Sequence, residues 1–208
     1  MRKVLDRTRP GCLIDLHSNT YFSIGPPNQY TEFFPYVDRL WLGEGFQYDA
    51  MSPEQWLVEC SGIPFGLMGD MLQDGGNRWR GMLFGMTARI PWTSADARPV
   101  WKVWDEFGIG EARMLGWWEK DCPVRTGRED VLATAYVRPG KTLVALASWA
   151  PAKTDVRLQV DWKALGLDAG NARLVAPEIR DFQPAKGWRL DEPISVEPKR
   201  GWLIYVAE

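Results

Sequence analysis

The sequence predicts an α/β first half followed by an antiparallel β-sandwich. Three observations carry this. Short apolar runs alternate with helix signals up to about residue 120. From residue 131 onward strand signals recur at close spacing with almost no helix between them. Residues 121–130 hold Pro123, Gly127 and a run of charges, the composition of a boundary. The expected division is therefore 1–120 and 121–208.

Residues 2–9 (RKVLDRTR) read as the last turns of a helix. Residues 12–17 (CLIDLH) follow Pro10-Gly11 as a β-prone run. Asn28 is a candidate cap for a helix over 29–34, ended by Pro35. Residues 37–42 (VDRLWL) form the second run. Ser52-Pro53-Glu54-Gln55 is a capping box with proline at the first helical position, so a short helix should run to about Glu59. Residues 62–69 (GIPFGLMG) form the third run. Asn77 is placed to open a helical segment through Met86. Pro99 opens another, with Val100, Val103, Trp104 and Phe107 on one helical face. Strand and helix thus alternate, which favours a parallel sheet with helical crossovers.

In the second half, 131–138 (VLATAYVR) and 142–149 (TLVALASW) flank Pro139-Gly140-Lys141 as a hairpin. Further strands are expected at 155–160, 172–176, 188–190, 193–197 and 202–207, with one brief helix at 162–167. An α/β barrel needs eight strands, and the first half offers three. The sequence therefore predicts the C-terminal portion of a (β/α)8 TIM-type barrel, with its earlier strands in a missing N-terminal part of the same protein. A self-contained small α/β domain is the alternative.

Bulk properties exclude several classes. A net charge of −2 supplies no basic field for nucleic acid or an anionic membrane. No apolar run approaches the roughly 18 residues of a spanning helix. The N-terminus lacks the apolar stretch of a signal peptide. Cys12, Cys60 and Cys122 have no metal-ligand spacing, and neither cofactor nor metal is expected. The 12 Trp, 6 Tyr and 8 Phe are enough to line an aromatic cleft as well as a core.

CLIDLHS, LWLGEGF, SGIPFGLMGDMLQ and WDEFGI, followed by a β-rich half containing LVALASWAP, resemble the C-terminal part of bacterial glycoside-hydrolase-like proteins close to glycoside hydrolase family 123. The resemblance covers nearly the whole chain. LGEGF and GIPFGLMGDML are its most specific parts. It implies that the three runs are roughly strands six to eight of a catalytic barrel, and that a β-sandwich follows. It also implies an oligosaccharide or glycoside substrate, and a secreted or periplasmic parent.

Barrel enzymes place their sites at the C-terminal ends of strands. Side chains alternate along a strand, so Leu13, Asp15 and His17 share a face, with His17 at the rim and Asp15 one layer below. A carboxylate under a histidine fixes its tautomer and raises its pKa; a purely structural pair is the alternative. Leu40, Leu42 and Glu44 share a face, and Gly43 and Gly45 would let a sugar approach closely. Glu44 is the leading catalytic candidate, against a solvated turn residue. Asp70 ends the third run and is its potential partner, against a role as helix cap. Glycoside hydrolysis uses two such carboxylates flanking the bond. Tyr21, Phe46, Tyr48 and Trp79 are candidate aromatic platforms. Asn19, Asn77 and Arg78 are candidate ligands for sugar hydroxyls.

A hydrolase that needs its upstream strands for activity is the leading reading. A carbohydrate-binding or scaffolding protein without a catalytic pair, and a truncated inactive product, are the alternatives.

Overall fold

The computed structural model describes residues 2–17, 31–41, 47–69, 76–88 and 95–207, with the backbone alone at His17 and Thr31. The fold is mixed α/β, and most of its strand pairing is antiparallel.

The first half opens with a helix, α1 (Arg2–Thr8), and builds one parallel sheet of three strands: β1 (Asp15–His17), β2 (Arg39–Trp41) and β3 (Met68–Gly69). Asp15 pairs with Arg39, Leu16 with Leu40 and Leu40 with Gly69. One face is buried: Ile14, Leu16 and Leu40 pack with Leu5 of α1, Phe34, Val37 and Leu67. The other face is open, with Leu13 61% and Met68 53% exposed.

Local chemistry explains the connections. The segment expected as a helix over 29–34 is a 3-10 helix at Thr31–Tyr36, which tolerates Pro35 inside it. The Ser52 box forms as expected. Ser52 Oγ accepts from the Gln55 amide at 3.2 Å, and Gln55 Oε1 accepts from the Ser52 amide at 3.0 Å. The helix it opens, α2 (Pro53–Gln55), continues as a π-helical turn over Trp56–Cys60. The third run was expected to be strand from residue 62, but only Met68–Gly69 pairs. Gly62 and Gly66 both take positive φ around a 3-10 turn at Ile63–Phe65, which no continuous strand permits.

Helix α3 (Arg78–Met82) is capped by Asn77, whose Oδ1 accepts from the Arg80 amide at 3.0 Å. It stops short of the expected Met86. The Thr134 hydroxyl donates to the Leu83 carbonyl at 2.9 Å and the Tyr136 hydroxyl to that of Met82, so side chains from a distant strand close the helix end. Helix α4 (Arg98–Phe107) buries Val100, Val103 and Phe107, with Trp104 partly buried beside them, the face its spacing predicts.

The second half is organised by a six-stranded antiparallel sheet. In spatial order it contains residues 186–188, 173–176, 201–207, 141–148, 131–138 and 113–115. In chain order these strands are β4 (Arg113–Leu115), β6 (Val131–Arg138), β7 (Lys141–Ser148), β10 (Arg173–Ala176), β11 (Lys186–Trp188) and β13 (Gly201–Ala207). Strand β4 was not anticipated. It brings residues before 121 into this sheet, ahead of the expected division. Two short ladders complete the half: β5 (Val124–Arg125) with β9 (Gln159–Val160), and β8 (Thr154–Val156) with β12 (Ile194–Val196). The brief helix expected at 162–167 is α5 (Trp162–Leu165), capped by Asp161.

The alternation in β6 and β7 sends two apolar sets in opposite directions. Leu132, Tyr136, Leu143, Ala145, Ala147 and Leu203 face a cluster with Trp56, Met82, Leu83, Val103 and Phe107. Ala133, Ala135, Val144, Leu146, Ile204 and Val206 face the short ladders through Val124, Val156, Ile194 and Val196. The central strands are therefore buried on both sides, and Thr134, their mid-strand polar residue, is hydrogen-bonded to the Leu83 carbonyl. A layer of helices and turns, including α3 and α4, covers one face and the two ladders cover the other. The second strand layer is thus two separate pairs, because turns interrupt each run after two or three residues.

Candidate active site

The expected site lies at the C-terminal ends of β1–β3. Strand β1 ends at His17, β2 at Trp41 and β3 at Gly69. Glu44, Asp70, Asn19, Tyr21 and Phe46, which follow these ends in sequence, lie outside the described residues, as does the side chain of His17.

Asp15 is on the open face of the sheet. Its carboxylate accepts two hydrogen bonds from Arg39, from Nε at 2.6 Å and from Nη2 at 2.9 Å. This fork-on-carboxylate geometry is the directional form of the ion pair. Arg39 and Asp15 are register partners, so one strand positions the other's side chain.

The register fixes the face of each described strand residue. Leu40 pairs with Leu16 on the buried face, whereas Asp15 and Arg39 lie on the open one. The parity of Leu40 and the parity of Asp15 therefore belong to opposite faces of the sheet. The apolar Leu40 is drawn to the layer beneath α1, where Leu5, Phe34 and Val37 remove it from water.

The structure gives four other candidates structural partners. Tyr48 is 8% exposed and packs its ring 5.2 Å from that of Trp56. Its carbonyl accepts from Trp56 Nε1 at 3.1 Å and from Arg80 Nη1 at 3.1 Å. Asn77, besides capping α3, donates through Nδ2 to Asp49 at 3.0 Å and to the Lys199 carbonyl at 2.9 Å. The Arg78 guanidinium donates to the Asp181 carbonyl and lies 5.2 Å from the centroid of the Trp79 ring. Trp79 stacks on Phe182 at 5.1 Å. Asn77, Arg78 and Trp79 thus contact the second half, while Tyr48 packs within the first. Their aromatic and amide character was legible in the sequence; their distant partners were not.

Arg80 is the functional-looking residue that sequence reasoning missed. It is 2% exposed and carries a buried charge without a carboxylate ion pair among the described residues. Nε and Nη2 donate to the Ser148 carbonyl at 3.2 and 3.1 Å, and Nη1 to the Tyr48 and Asp49 carbonyls at 3.1 and 3.0 Å. Burial pulls its pKa down to about 10, and Asp49 pulls the other way, so it stays charged at neutral pH. Its donors are all directed to backbone, which makes it a fastener.

Among the described residues no cluster of three or more His, Cys, Asp or Glu is placed to hold a metal. No described helix is long and apolar enough to cross a membrane.

The described residues thus form a parallel three-stranded sheet followed by antiparallel sheets. The sequence comparisons divide the chain between residues 91 and 96. Residues 1–91 match the TIM-barrel domain of glycoside hydrolase 123, and residues 96–207 match the glycoside hydrolase 123 C-terminal domain. The chain belongs to glycoside hydrolase family 123. No curated protein gives a significant match.

Proposed function

We propose that this chain is the C-terminal part of an enzyme that hydrolyses O-glycosidic bonds by carboxylate acid/base chemistry. In this reading β1–β3 are late strands of a (β/α)8 barrel, and the antiparallel domain braces them. The observation that carries it is the parallel, sequential order of β1–β3 together with the position of their ends. Glu44 follows β2 by three residues and Asp70 follows β3 directly. Barrel active sites are built from such positions.

Glu44 and Asp70 act as the carboxylate pair, one protonating the leaving oxygen and the other serving as nucleophile or base. His17 binds or protonates at the end of β1. Asp15, held by Arg39, steadies that strand end. Asn19, Tyr21 and Phe46 supply hydroxyl contacts and an aromatic wall. Such a wall disfavours the charged form of a nearby acid and keeps one carboxyl protonated. The described parallel sheet has three strands, so completing a barrel would require others. On this reading the 208-residue chain alone turns over no glycoside.

The test is Glu44→Gln in the longer protein. The amide keeps the shape but neither donates nor accepts the catalytic proton. A fall in kcat of at least about 100-fold is expected. Near-normal turnover would remove Glu44 from the mechanism, and turnover by the pure 208-residue chain would overturn the dependence on further strands.

A further inference from the structure

A cleft of about 300 Å3 opens on the antiparallel half, within the range of small-ligand sites. Its lining includes Trp79, Phe182, Lys186, Glu197, Arg200 and Trp202. Its chemistry is lopsided. Glu197 is matched by Lys153, at 3.2 Å. Arg200 and Lys186 have no carboxylate partner among the described residues. Aromatic faces hold both cations instead. The Arg200 guanidinium lies 4.6 Å from the Trp79 ring centroid, and Lys186 Nζ lies 5.1 Å from that of Trp188 and 6.0 Å from that of Trp202.

A cation stacked on a ring keeps its N–H donors, because the ring face accepts charge without using them directionally. Neutral groups at the cleft are already committed. Gln183 is fully committed, donating to the Pro177 and Leu203 carbonyls and accepting from the Leu203 amide. The Ser195 carbonyl already accepts from Trp202 Nε1 at 2.9 Å. The cleft thus holds two cations without a carboxylate partner beside one carboxylate that is already paired. A second arginine, Arg78, lies against the same aromatic pair, 5.7 Å from the centroid of the Phe182 ring. Burial first, and then the neighbouring charge of Arg200, hold it below the ordinary guanidinium value against the pull of Asp181. Like charges are thus gathered in a protein whose net charge is −2.

We propose that this cleft binds an acidic sugar residue, a uronate or a sulfated hexose, with its anionic group at Arg200 and Lys186 and its ring against Trp202 and Pro184. The choice of a sugar over another anion rests on the glycoside hydrolase reading. The choice of an anion rests on the two cations, Arg200 and Lys186, that have no carboxylate partner among the described residues. The apolar wall suits the C–H face of a pyranose, which a bare inorganic ion would leave unused.

Calorimetry on the 208-residue chain tests this with a glucuronate-containing disaccharide and galactose 6-sulfate, each beside its neutral counterpart, and with sodium sulfate. Both acidic sugars, or one of them, should bind roughly tenfold or more tightly than the neutral forms and weaken in high salt. Lys186→Glu, an exposed change, and Arg200→Glu should each abolish that preference while the melting temperature of Lys186→Glu stays unchanged. Absence of binding, equal affinity for the neutral sugars, sodium sulfate binding as tightly as the sugar sulfate, or an unaltered preference in Lys186→Glu would overturn the proposal. The readout is binding, so it is separate from turnover. Failure here leaves the Glu44 reading standing, and failure of the Glu44 test leaves this measurement unchanged.

Discussion

The Arg80 guanidinium lies 4.3 Å from the centroid of the Trp149 ring and donates to the carbonyl of the adjacent Ser148. Trp149 in turn donates through Nε1 to the Met51 carbonyl at 2.8 Å. One cation and one indole therefore tie a loop of the first half to the end of β7. A guanidinium can satisfy three carbonyls at once because its donors fan out in a plane.

Replacing Arg80 should expose how much of the fold depends on this contact. Arg80→Met leaves the Tyr48, Asp49 and Ser148 carbonyls short of donors in a buried site and should cost about 3 kcal/mol. Arg80→Lys keeps the charge but loses the fork, and should cost about 2 kcal/mol. Urea unfolding followed by tryptophan fluorescence measures both. A loss below about 1 kcal/mol in each would show that the contact is incidental.

Gly201 has a different constraint, set by a neighbouring strand. A Cβ there would sit 1.7 Å from the Leu146 carbonyl oxygen, a backbone atom that cannot rotate away. Gly201→Ala should therefore pull β13 off β7 at the Gly201–Ala147 register pair, with a loss of about 3 kcal/mol or failure to fold. An alanine variant with wild-type thermal stability would contradict the packing described for that pair.

Acid should weaken the start of α4. The Asp96 carboxyl is held at about 2, first by the Arg98 side chain and then by its backbone amide, with Arg180 adding a bond at 2.9 Å. Its folded pKa is below the ordinary value of 3.8. The stabilisation is therefore present above pH 3.8 and fades as pH falls towards 2. Asp96→Asn should flatten the stability profile between those limits. A profile identical to the parent's would show that other carboxylates carry the acid response.

The three thiols should differ in reactivity. Cys60 and Cys122 are buried and Cys12 is partly exposed. Burial pushes the thiols of Cys60 and Cys122 up, which withholds the reactive thiolate. At mildly alkaline pH a thiol reagent should label Cys12 alone in the native chain and all three cysteines in denaturant. Rapid native labelling of Cys60 would mean that the layer over Trp56–Cys60 opens readily.

The sequence was most informative where local chemistry suffices. The Ser52 box, the face of α4 and the Pro139-Gly140 hairpin each depend on residues within one or two turns, and each forms as read. It was less informative where a distant partner decides. Met82 and Leu83 offered no sign that Tyr136 and Thr134 would close their helix. Asn77 and Trp79 have the composition of a sugar site, yet their partners at Lys199 and Phe182 are more than 100 positions away. Leu40 shows the same limit at the site itself. Alternation gives the period of a strand but not its absolute face, and only the register with Leu16 fixes that.

By itself, then, the sequence determined the alternating first half, the strand-rich second half and the carboxylates that follow the parallel runs, because propensity, caps and period are local properties. Tertiary structure decided which face of β2 meets the helices, that β4 joins the second sheet, and that Arg80, Asn77 and Trp79 fasten the halves together. Those outcomes depend on burying apolar area and pairing polar groups across long separations, and no local pattern encodes which partner will be there.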